Sequence, residues 1–278
     1  KYRNKIIPVT LRLKGDNIDH LKSDKWSMRI KGKRGATILG MREFSLQHPS
    51  VRNYFGEFIY HLFLRNEGLP FLRYEFKTLI LNGKNLGSYA IEEHFDKRLL
   101  ENSKFREGPI IKLSEQNMWI ELEKRYQVFN KRLQTKEIQK GEMFAEVVPF
   151  NINKLYQNKI KYNQFLRARN LLHKYLLGEI EMDDVFDIEL TAKYFAINDL
   201  LLVSHASAWN NIRFYYNPIT GKLIPIGYDA DVTIKNNSFE YPQLSIDRNS
   251  FNLFDNQIFL SQYINFLEKY SEPEYLEK

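Results

Sequence analysis

The chain has 278 residues, a formal net charge of +7 and no cysteine, and 43% of its residues are hydrophobic. A chain of this length and apolar content can bury one large core or two smaller ones, which argues against intrinsic disorder. The lack of cysteine excludes disulfides, thiolate metal sites and a cysteine nucleophile. No stretch approaches the roughly 18 consecutive apolar residues of a membrane-spanning helix, so we expect no membrane span. Because the chain begins at Lys1 rather than Met, we expect a segment of a longer protein.

The positive charge is concentrated at the N-terminal end. Residues 1–50 contain twelve Lys or Arg against four Asp or Glu, and the rest of the chain is close to neutral. Such a run usually forms a solvated face; otherwise it binds a phosphate-bearing ligand, an acidic protein or nucleic acid. We do not expect a nucleic-acid partner.

The N-terminal part begins with two segments that alternate apolar with polar residues. This alternation predicts β-strands over residues 6–14 and 26–31. Between residues 49 and 68, apolar side chains recur at three- and four-residue spacing. That spacing predicts an amphipathic helix with Glu57 at the edge of its apolar stripe.

A hairpin and a segment without a clear pattern follow. Residues 74–81 and 87–92 flank the turn signal Asn82-Gly83, which predicts two paired strands with a loop slightly longer than the minimum. Residues 115–140 are polar and charged, and we assign them no element.

Helical patterns dominate from about residue 154 onward. Residues 187–202 are apolar nearly all round, which predicts a buried helix with Asp187 as its N-cap. Residues 212–216 and 222–226 then read as a hairpin, because Pro218 and Gly221 supply turn geometry between them. Strands followed by helices predict an α+β protein.

The residues that flank this second hairpin are the candidates for binding a metal ion. Folding the chain back at Pro218 places Asn211, just before the first strand, opposite Asp229, just after the second. An amide oxygen and a carboxylate are a donor pair that suits Mg²⁺ bound to nucleotide phosphates, and protein kinases hold metal in this way. The alternative is that both residues are ordinary caps and turn formers.

Protein kinases also need a cation for the nucleotide phosphates. Lys25, Arg29 and Lys31 are the candidates, because alternation places them on one face of the strand that begins here, and Glu57 would orient the chosen cation. The alternative is that these are solvent-facing strand charges.

Several segments resemble the spore coat protein H (CotH) kinase family. They are KWSMRIK at 25–31, GMREFSLQ at 40–47, NG at 82–83 with GSY at 87–89, EEHFDK at 92–97, NNIRFYYNP at 210–218 and PIGYDAD at 225–231. The similarity covers roughly residues 10–235, and the last two segments are the most specific.

The resemblance implies a two-lobed, protein-kinase-like fold, with a β-rich N-terminal lobe carrying one helix over residues 1–108. A mainly helical C-terminal lobe with the metal-binding hairpin would cover 109–278. It implies ATP and Mg²⁺ or Mn²⁺ as cofactors, with Asp229 and Asn211 as metal ligands and Glu92 among the nucleotide-binding residues. The expected reaction transfers the γ-phosphate to a Ser or Thr hydroxyl of a protein substrate, such as a spore-coat, cell-surface or secreted protein.

One position departs from the kinase pattern. Kinases place the catalytic Asp five residues before the metal-binding Asn, and Ala206 stands there if Asn211 is that residue. If Asn210 is the ligand instead, His205 takes the position and could act as a base. Asp199 or Asp231 could also approach from elsewhere.

Two other functions therefore remain open. The same fold could be a nucleotide-binding pseudokinase or transfer a nucleotidyl group. The chain could also be a non-enzymatic surface or coat assembly protein that uses its basic face to hold an acidic partner.

Overall fold

The computed structural model describes residues 5–14, 25–129, 145–230, 232, 244 and 250–277. Within these residues the protein is α+β, with two antiparallel sheets and helices packed against them. The first sheet has the strand order β1-β2-β3-β5-β4. Its strands are β1 (Val9–Leu13), β2 (Met28–Gly32), β3 (Glu43–Gln47), β4 (Tyr74–Leu81) and β5 (Lys84–Glu93).

The strands predicted from alternation are present, with shifted ends. β1 starts at Val9 because Pro8 has no N–H to donate to a sheet partner. β2 starts only at Met28 and pairs with both β1 and β3. The β4–β5 loop is shorter than predicted: Leu81 pairs directly with Lys84. Asn82 and Gly83 have φ values of 51° and 81°, which suits a two-residue hairpin turn.

The predicted helix over residues 49–68 is shorter in the structure. A 3₁₀ turn, Pro49–Arg52, comes first, and α1 covers Gly56–Asn66. The two are separated because Asn53 and Tyr54 adopt left-handed backbone conformations with φ of 48° and 58°. Because of this break, Arg52 and Asn53 do not belong to the helix that the spacing predicts.

The remaining elements follow β5 in the chain, and α2 is a second helix within residues 1–108, for which one helix was predicted. The second sheet has the order β7-β6-β8-β9. Its strands are β6 (Ile110–Leu113), β7 (Val147–Pro149), β8 (Arg213–Tyr216) and β9 (Leu223–Ile226). The helices are α2 (Lys97–Asn102), α3 (Gln116–Phe129), α4 (Ile152–Tyr156), α5 (Lys159–Leu176), α6 (Met182–Val185), α7 (Ile188–Leu200), α8 (Gln257–Ser271) and α9 (Pro273–Leu276).

Two elements predicted in this part of the chain, a buried helix and a hairpin, are confirmed in detail. α7 is the buried helix, and the Asp187 side chain accepts a hydrogen bond from the Leu190 backbone N–H at 3.1 Å, as an N-cap does. The β8–β9 hairpin forms with Tyr216 paired to Leu223. α3 lies in the segment 115–140, to which no element was assigned from the sequence, and residues 130–144 lie outside the described part.

The apolar residues form two clusters. The smaller one covers one face of the first sheet and includes Met28, Phe44 and Ile91. The larger one holds the second sheet together with the C-terminal helices, and α1 contributes Tyr60 and Leu64 to it. α1 is therefore packed into the same core as the elements that follow it, which fixes its position relative to the β8–β9 hairpin.

Candidate functional site

The β8–β9 hairpin brings Asn211 and Asp229 together, as its turn signals predict. The amide nitrogen of buried Asn211 donates to the backbone carbonyls of Tyr228 and Asp229 at 3.5 and 3.4 Å. It also donates to the carbonyl of His205 at 3.2 Å. These bonds occupy the amide nitrogen, so Oδ1 is the atom with which Asn211 could bind a cation.

The chain approaches α1 closely just before Asp229. A Cβ at Gly227 would lie 2.2 Å from Leu64 Cδ1 and 2.8 Å from Tyr60 Cε1, so only glycine fits here. Asp229 itself has a φ of 55°, in the left-handed region that Asp tolerates better than most residues. Strained backbone of this kind often occurs at functional sites.

The Asp229 carboxylate lies between the Arg52 guanidinium and the His205 imidazole. One oxygen forms an ion pair with Arg52, and the other lies 3.5 Å from His205 Nε2. Burial raises the pKa of Asp229, but the hydrogen bond from His205 and the charge of Arg52 outweigh burial and hold the pKa below its usual value. Asp229 is therefore ionised at neutral pH.

A second ion pair lies beside the first. Lys14 Nζ is 2.7 Å from Glu92 Oε2 and 3.2 Å from Gln47 Oε1, and the Glu92 side chain is only 1% exposed. Burial raises the pKa of Glu92, whereas the charges of Lys14 and Arg52 lower it, and the net effect is a lowered pKa. We refer to Lys14, Arg52, Glu92, His205, Asn211 and Asp229 as the Asp229 cluster.

Glu57 has a different position from the one predicted. Its Oε2 accepts a hydrogen bond from the Ala230 backbone N–H at 2.9 Å, and its Oε1 lies 3.3 Å from His61 Nε2. Asn53 donates to the carbonyl of Val232 at 2.7 Å. The start of α1 thus holds the backbone that follows Asp229. The prediction that Glu57 orients a cation of the 26–31 strand is wrong, because its carboxylate is bound to this backbone.

The three cations predicted to contact phosphates are separated. Lys31 pairs with Glu43 at 2.8 Å, and the charge of Arg29, which is 8% exposed, acts on Glu43 as well. Lys25 precedes β2; its ammonium contacts the Ser88 carbonyl at 3.4 Å and lies 5.9 Å from the Tyr89 ring centre. Tyr89 belongs to the smaller apolar cluster, so Lys25 does not share a face with Arg29 and Lys31, contrary to the prediction.

The structure separates the candidates for a catalytic base. Ala206 is fully buried in the core, and its carbonyl accepts a hydrogen bond from Tyr194. Asp199 is buried too and accepts a hydrogen bond from Tyr263 at 2.6 Å, which places it in the core. His205 is half exposed beside Asp229. Asp231, the remaining candidate, lies outside the described residues.

Lys14 and Arg52 were not among the predicted site residues. Lys14 ends the alternating 6–14 segment, so the sequence contained a signal for it. Arg52 gave no such signal, because it reaches Asp229 only through the break between the 3₁₀ turn and α1.

The donor set agrees with a metal that is bound mainly by phosphates and water. Asp229 and Asn211 offer one carboxylate and one amide oxygen, and Mg²⁺ is commonly bound by one or two protein oxygens. Glu92 Oε1 is buried and has no hydrogen-bond partner within the described residues, so it is a further acceptor. Across that same part of the chain, no group of three or more His, Asp or Glu side chains is placed to bind a metal ion.

No protein-family model matches the chain, and the search of curated proteins finds no match. Among the described residues, none of the helices has the length and apolar content needed to cross a membrane.

Proposed function

We propose that the chain is an atypical protein kinase similar to the CotH family, which transfers the γ-phosphate of ATP to a Ser or Thr hydroxyl of a protein. The observation that carries this proposal is the Asp229 cluster. It combines a cation paired to a buried glutamate, Lys14 with Glu92, and a carboxylate beside an amide, Asp229 with Asn211. These are the two parts that phosphoryl transfer requires of a protein: a fixed positive charge for phosphates and a metal site.

Further support comes from the order of the elements. The first sheet has the order β1-β2-β3-β5-β4, with α1 between β3 and β4, and the β8–β9 hairpin flanked by Asn211 and Asp229 follows later in the chain. A two-lobed kinase-like arrangement would have these parts in this order. In such an arrangement Lys14 takes the role for which the sequence suggested Lys25, Arg29 or Lys31.

The bound metal would neutralise negative charge on the nucleotide phosphates, and the protein would position the reactants. Lys14 would bind phosphate oxygens, held in place by Glu92. Asp229 and Asn211 would hold the metal, for which Asp229 must exchange its ion pair with Arg52. The bond between the γ-phosphorus and the bridging oxygen breaks, a bond to the acceptor oxygen forms, and ADP leaves.

His205 is the group that would take the proton from the acceptor hydroxyl. Its Nε2 is 3.5 Å from Asp229 Oδ2 and its side chain is half exposed, so an acceptor can reach it. An imidazole titrates near neutral pH and can act as a general base.

The burial of Ala206 favours a second candidate, in which the chain binds nucleotide without transferring the γ-phosphate. A carboxylate is not available at that position, so a pseudokinase or a nucleotidyl transferase would use the same cluster for binding. A non-enzymatic surface or coat assembly protein is the third candidate, and it would not need the Lys14–Glu92 pair.

The test combines nucleotide binding with transfer of label. Calorimetry with ATP and either Mg²⁺ or Mn²⁺ should show metal-dependent binding to the wild type and at least a tenfold weaker affinity for Asp229→Asn. The exposed Asp184→Asn is the matched control and should bind as the wild type does. ATP labelled at the γ- or at the α-phosphorus, incubated with the protein and serine-containing peptides, then distinguishes the candidates.

Each candidate has its own outcome. Label from the γ-phosphorus alone on protein or peptide supports the kinase, and label from the α-phosphorus indicates nucleotidyl transfer. Metal-dependent binding without transfer indicates a pseudokinase. If ATP does not bind with either metal, the nucleotide-dependent candidates are wrong and the assembly protein remains.

A further inference from the structure

A cationic cavity lies beside the segment that follows β5. Its volume is about 170 Å³, and five cationic side chains line it: Arg42, Lys97, Arg98, Lys154 and Lys161. Among the residues that the structure describes, only two acidic side chains, Asp96 and Glu107, line the same cavity. We refer to it as the Arg42 cavity.

Three of the five cations have acidic partners. Arg98 pairs with Asp96, Lys161 with Glu107, and Lys97 with Glu101 outside the cavity. Both lining carboxylates are therefore already used. The remaining two cations are Arg42 and Lys154, and neither forms an ion pair within the part of the chain that the structure describes.

The positive charges of Arg42 and Lys154 are therefore not balanced by an ion pair within the described residues. Arg42 Nε is buried and lacks a hydrogen-bond partner among the described residues. Lys154 is exposed, and partial desolvation together with the positive charge of Arg42 lowers its pKa. A buried hydrogen-bond donor without an acceptor costs free energy. An anion that accepts hydrogen bonds from both groups should therefore bind favourably.

The size of the cavity limits the ligand. It is roughly ten times the ~15 Å³ that one water molecule needs, but it is below the ~300 Å³ of typical small-molecule pockets. Phe150, Ile110 and Leu155 supply an apolar wall beside the charges. One anionic group on a short aliphatic stem fits this combination, and such a group is the side chain of an acidic residue.

The cavity also borders the Asp229 cluster. Phe95 lines the cavity, and its ring centre lies 4.6 Å from that of Phe150 and 5.1 Å from that of Tyr228, the residue before Asp229. The Phe95 ring therefore connects the cavity to the residue before Asp229, which is close enough for one extended polypeptide to reach from the cavity to the cluster.

We propose that the Arg42 cavity binds one acidic side chain of the acceptor polypeptide, so that the protein selects substrates with acidic residues near the accepting hydroxyl. The substrate role rests on the kinase function proposed above, whereas binding of the acidic side chain does not. Arg42 and Lys154 bind the anionic group, and the apolar wall contacts its methylene groups.

The test measures peptide binding without ATP. Fluorescence anisotropy compares a labelled peptide in which glutamates flank a serine with the same peptide carrying glutamines. The wild type should bind the glutamate peptide about tenfold more tightly, and Lys154→Glu should remove this preference. Lys84→Glu, the same charge change at an exposed position in the β4–β5 hairpin, should retain it.

Two results would overturn the proposal. Equal affinity of the wild type for the two peptides would show that the cavity does not select acidic side chains. Equal loss of preference in Lys84→Glu and Lys154→Glu would show long-range attraction by net charge only. Thermal unfolding of each variant verifies that it is folded.

The outcome for the cavity is distinguishable from the outcome for the kinase. If the glutamate preference is present and depends on Lys154 but no phosphate is transferred, the cavity binds acidic side chains and the proposed kinase function fails. If phosphate is transferred to both peptides with equal KM, the kinase function holds and the cavity proposal fails.

Discussion

Among the described residues, the Asp229 carboxylate contacts the side chains of Arg52 and His205, which come from different elements. The two side chains affect its ionisation in different ways. Arg52 compensates its buried charge, while His205 reaches it from the loop after α7. An arginine paired with a carboxylate lowers the energetic cost of keeping that carboxylate ionised and buried. A metal that binds Asp229 must compete with this pair, so the affinity for metal alone should be low and should rise when nucleotide supplies further ligands.

Replacing His205 tests its assignment as the base. His205→Ala should lower the rate of transfer about tenfold or more while leaving ATP affinity within about twofold, since general-base catalysis typically contributes ~10²–10⁴-fold. The pH dependence of the rate should also flatten in the variant. Steady-state transfer from labelled ATP at several pH values measures both.

The matched comparison for this position is His205→Asp, which restores the kinase-type group at the exposed site rather than in the core. It should transfer phosphate at least as fast as His205→Ala. A wild-type rate in the ordinary kinase range of about 1–100 per second that His205→Ala leaves unchanged would contradict the assignment.

Glu57 should act by positioning the segment after Asp229. Glu57→Gln keeps an oxygen that can accept from the Ala230 N–H, so ATP affinity should stay close to that of the wild type. Glu57→Ala removes the acceptor and should weaken metal-dependent ATP binding about tenfold, because a buried N–H loses its partner. Calorimetry measures both variants, and a Glu57→Ala affinity equal to that of the wild type would mean that the segment is held by other contacts.

At the scale of elements, α1 is fixed at both ends. Glu57 in its first turn holds residue 230, and Asn53, which precedes the helix, holds residue 232. At its C-terminal end, Glu67 accepts hydrogen bonds of 2.8 Å from Tyr270 and Tyr275 and is 3.2 Å from Lys269. α8 and α9 therefore bind, through Glu67, to the C-terminal end of the same helix whose first turn contacts the backbone after Asp229.

Removing this connection should destabilise the protein. The Glu67 side chain is 8% exposed, so Glu67→Ala leaves two hydroxyls without their acceptor and should lower the free energy of unfolding by about 2 kcal/mol. Chemical denaturation measures the change. Glu101→Ala removes a solvent-exposed pair with Lys97 and should change stability by less than about 0.5 kcal/mol. Equal effects of the two substitutions would show that the Glu67 contacts contribute no more than a surface ion pair.

Elements whose signals are local were predictable from the sequence. The β8–β9 hairpin follows from Pro218 and Gly221, and the start of α7 follows from Asp187. These features depend on turn and cap chemistry within a few residues. The convergence of Asn211 with Asp229 then follows from the hairpin itself.

The site partners that depend on distant contacts were not predictable. Glu57 is 173 positions from Ala230 in the chain, so its helical position gives no information about its partner. Lys25 was assigned to the wrong side because alternation defines faces only within a strand, and β2 begins three residues later, at Met28. Arg52 was missed because the left-handed residues Asn53 and Tyr54 redirect the chain.

At the scale of the whole molecule, the half-buried His94 makes stability depend on pH. Burial lowers the pKa of His94 to about 4 from an ordinary 6.5, and the charge of Arg29 adds to this effect against an opposing contribution from Glu43. Between these two values the unfolded chain binds a proton that the folded protein does not. The free energy of unfolding should therefore fall as the pH falls from about 6.5 to about 4.

Thermal unfolding at pH 7 and pH 5 tests this dependence. The wild type should lose more stability over this interval than His94→Gln, which does not titrate. His173→Gln is a useful comparison, because burial lowers the pKa of His173 as well but its element, α5, lies away from the first sheet. If wild type and His94→Gln lose equal stability, the His94 imidazole is protonated in the folded protein at pH 5.

The burial of Ala206 restricts the mutational routes by which this chain could acquire a kinase-type aspartate. A carboxylate introduced at position 206 would enter a packed apolar core, where an unpaired charge is strongly unfavourable. Ala206→Asp is thus expected to reduce the yield of folded protein before any gain in rate is selected. A change at position 205 meets no such barrier, because its side chain is half exposed. Substitutions that speed up the reaction should therefore occur at position 205. Alanine would be retained at position 206 because the folded core requires a small apolar side chain there.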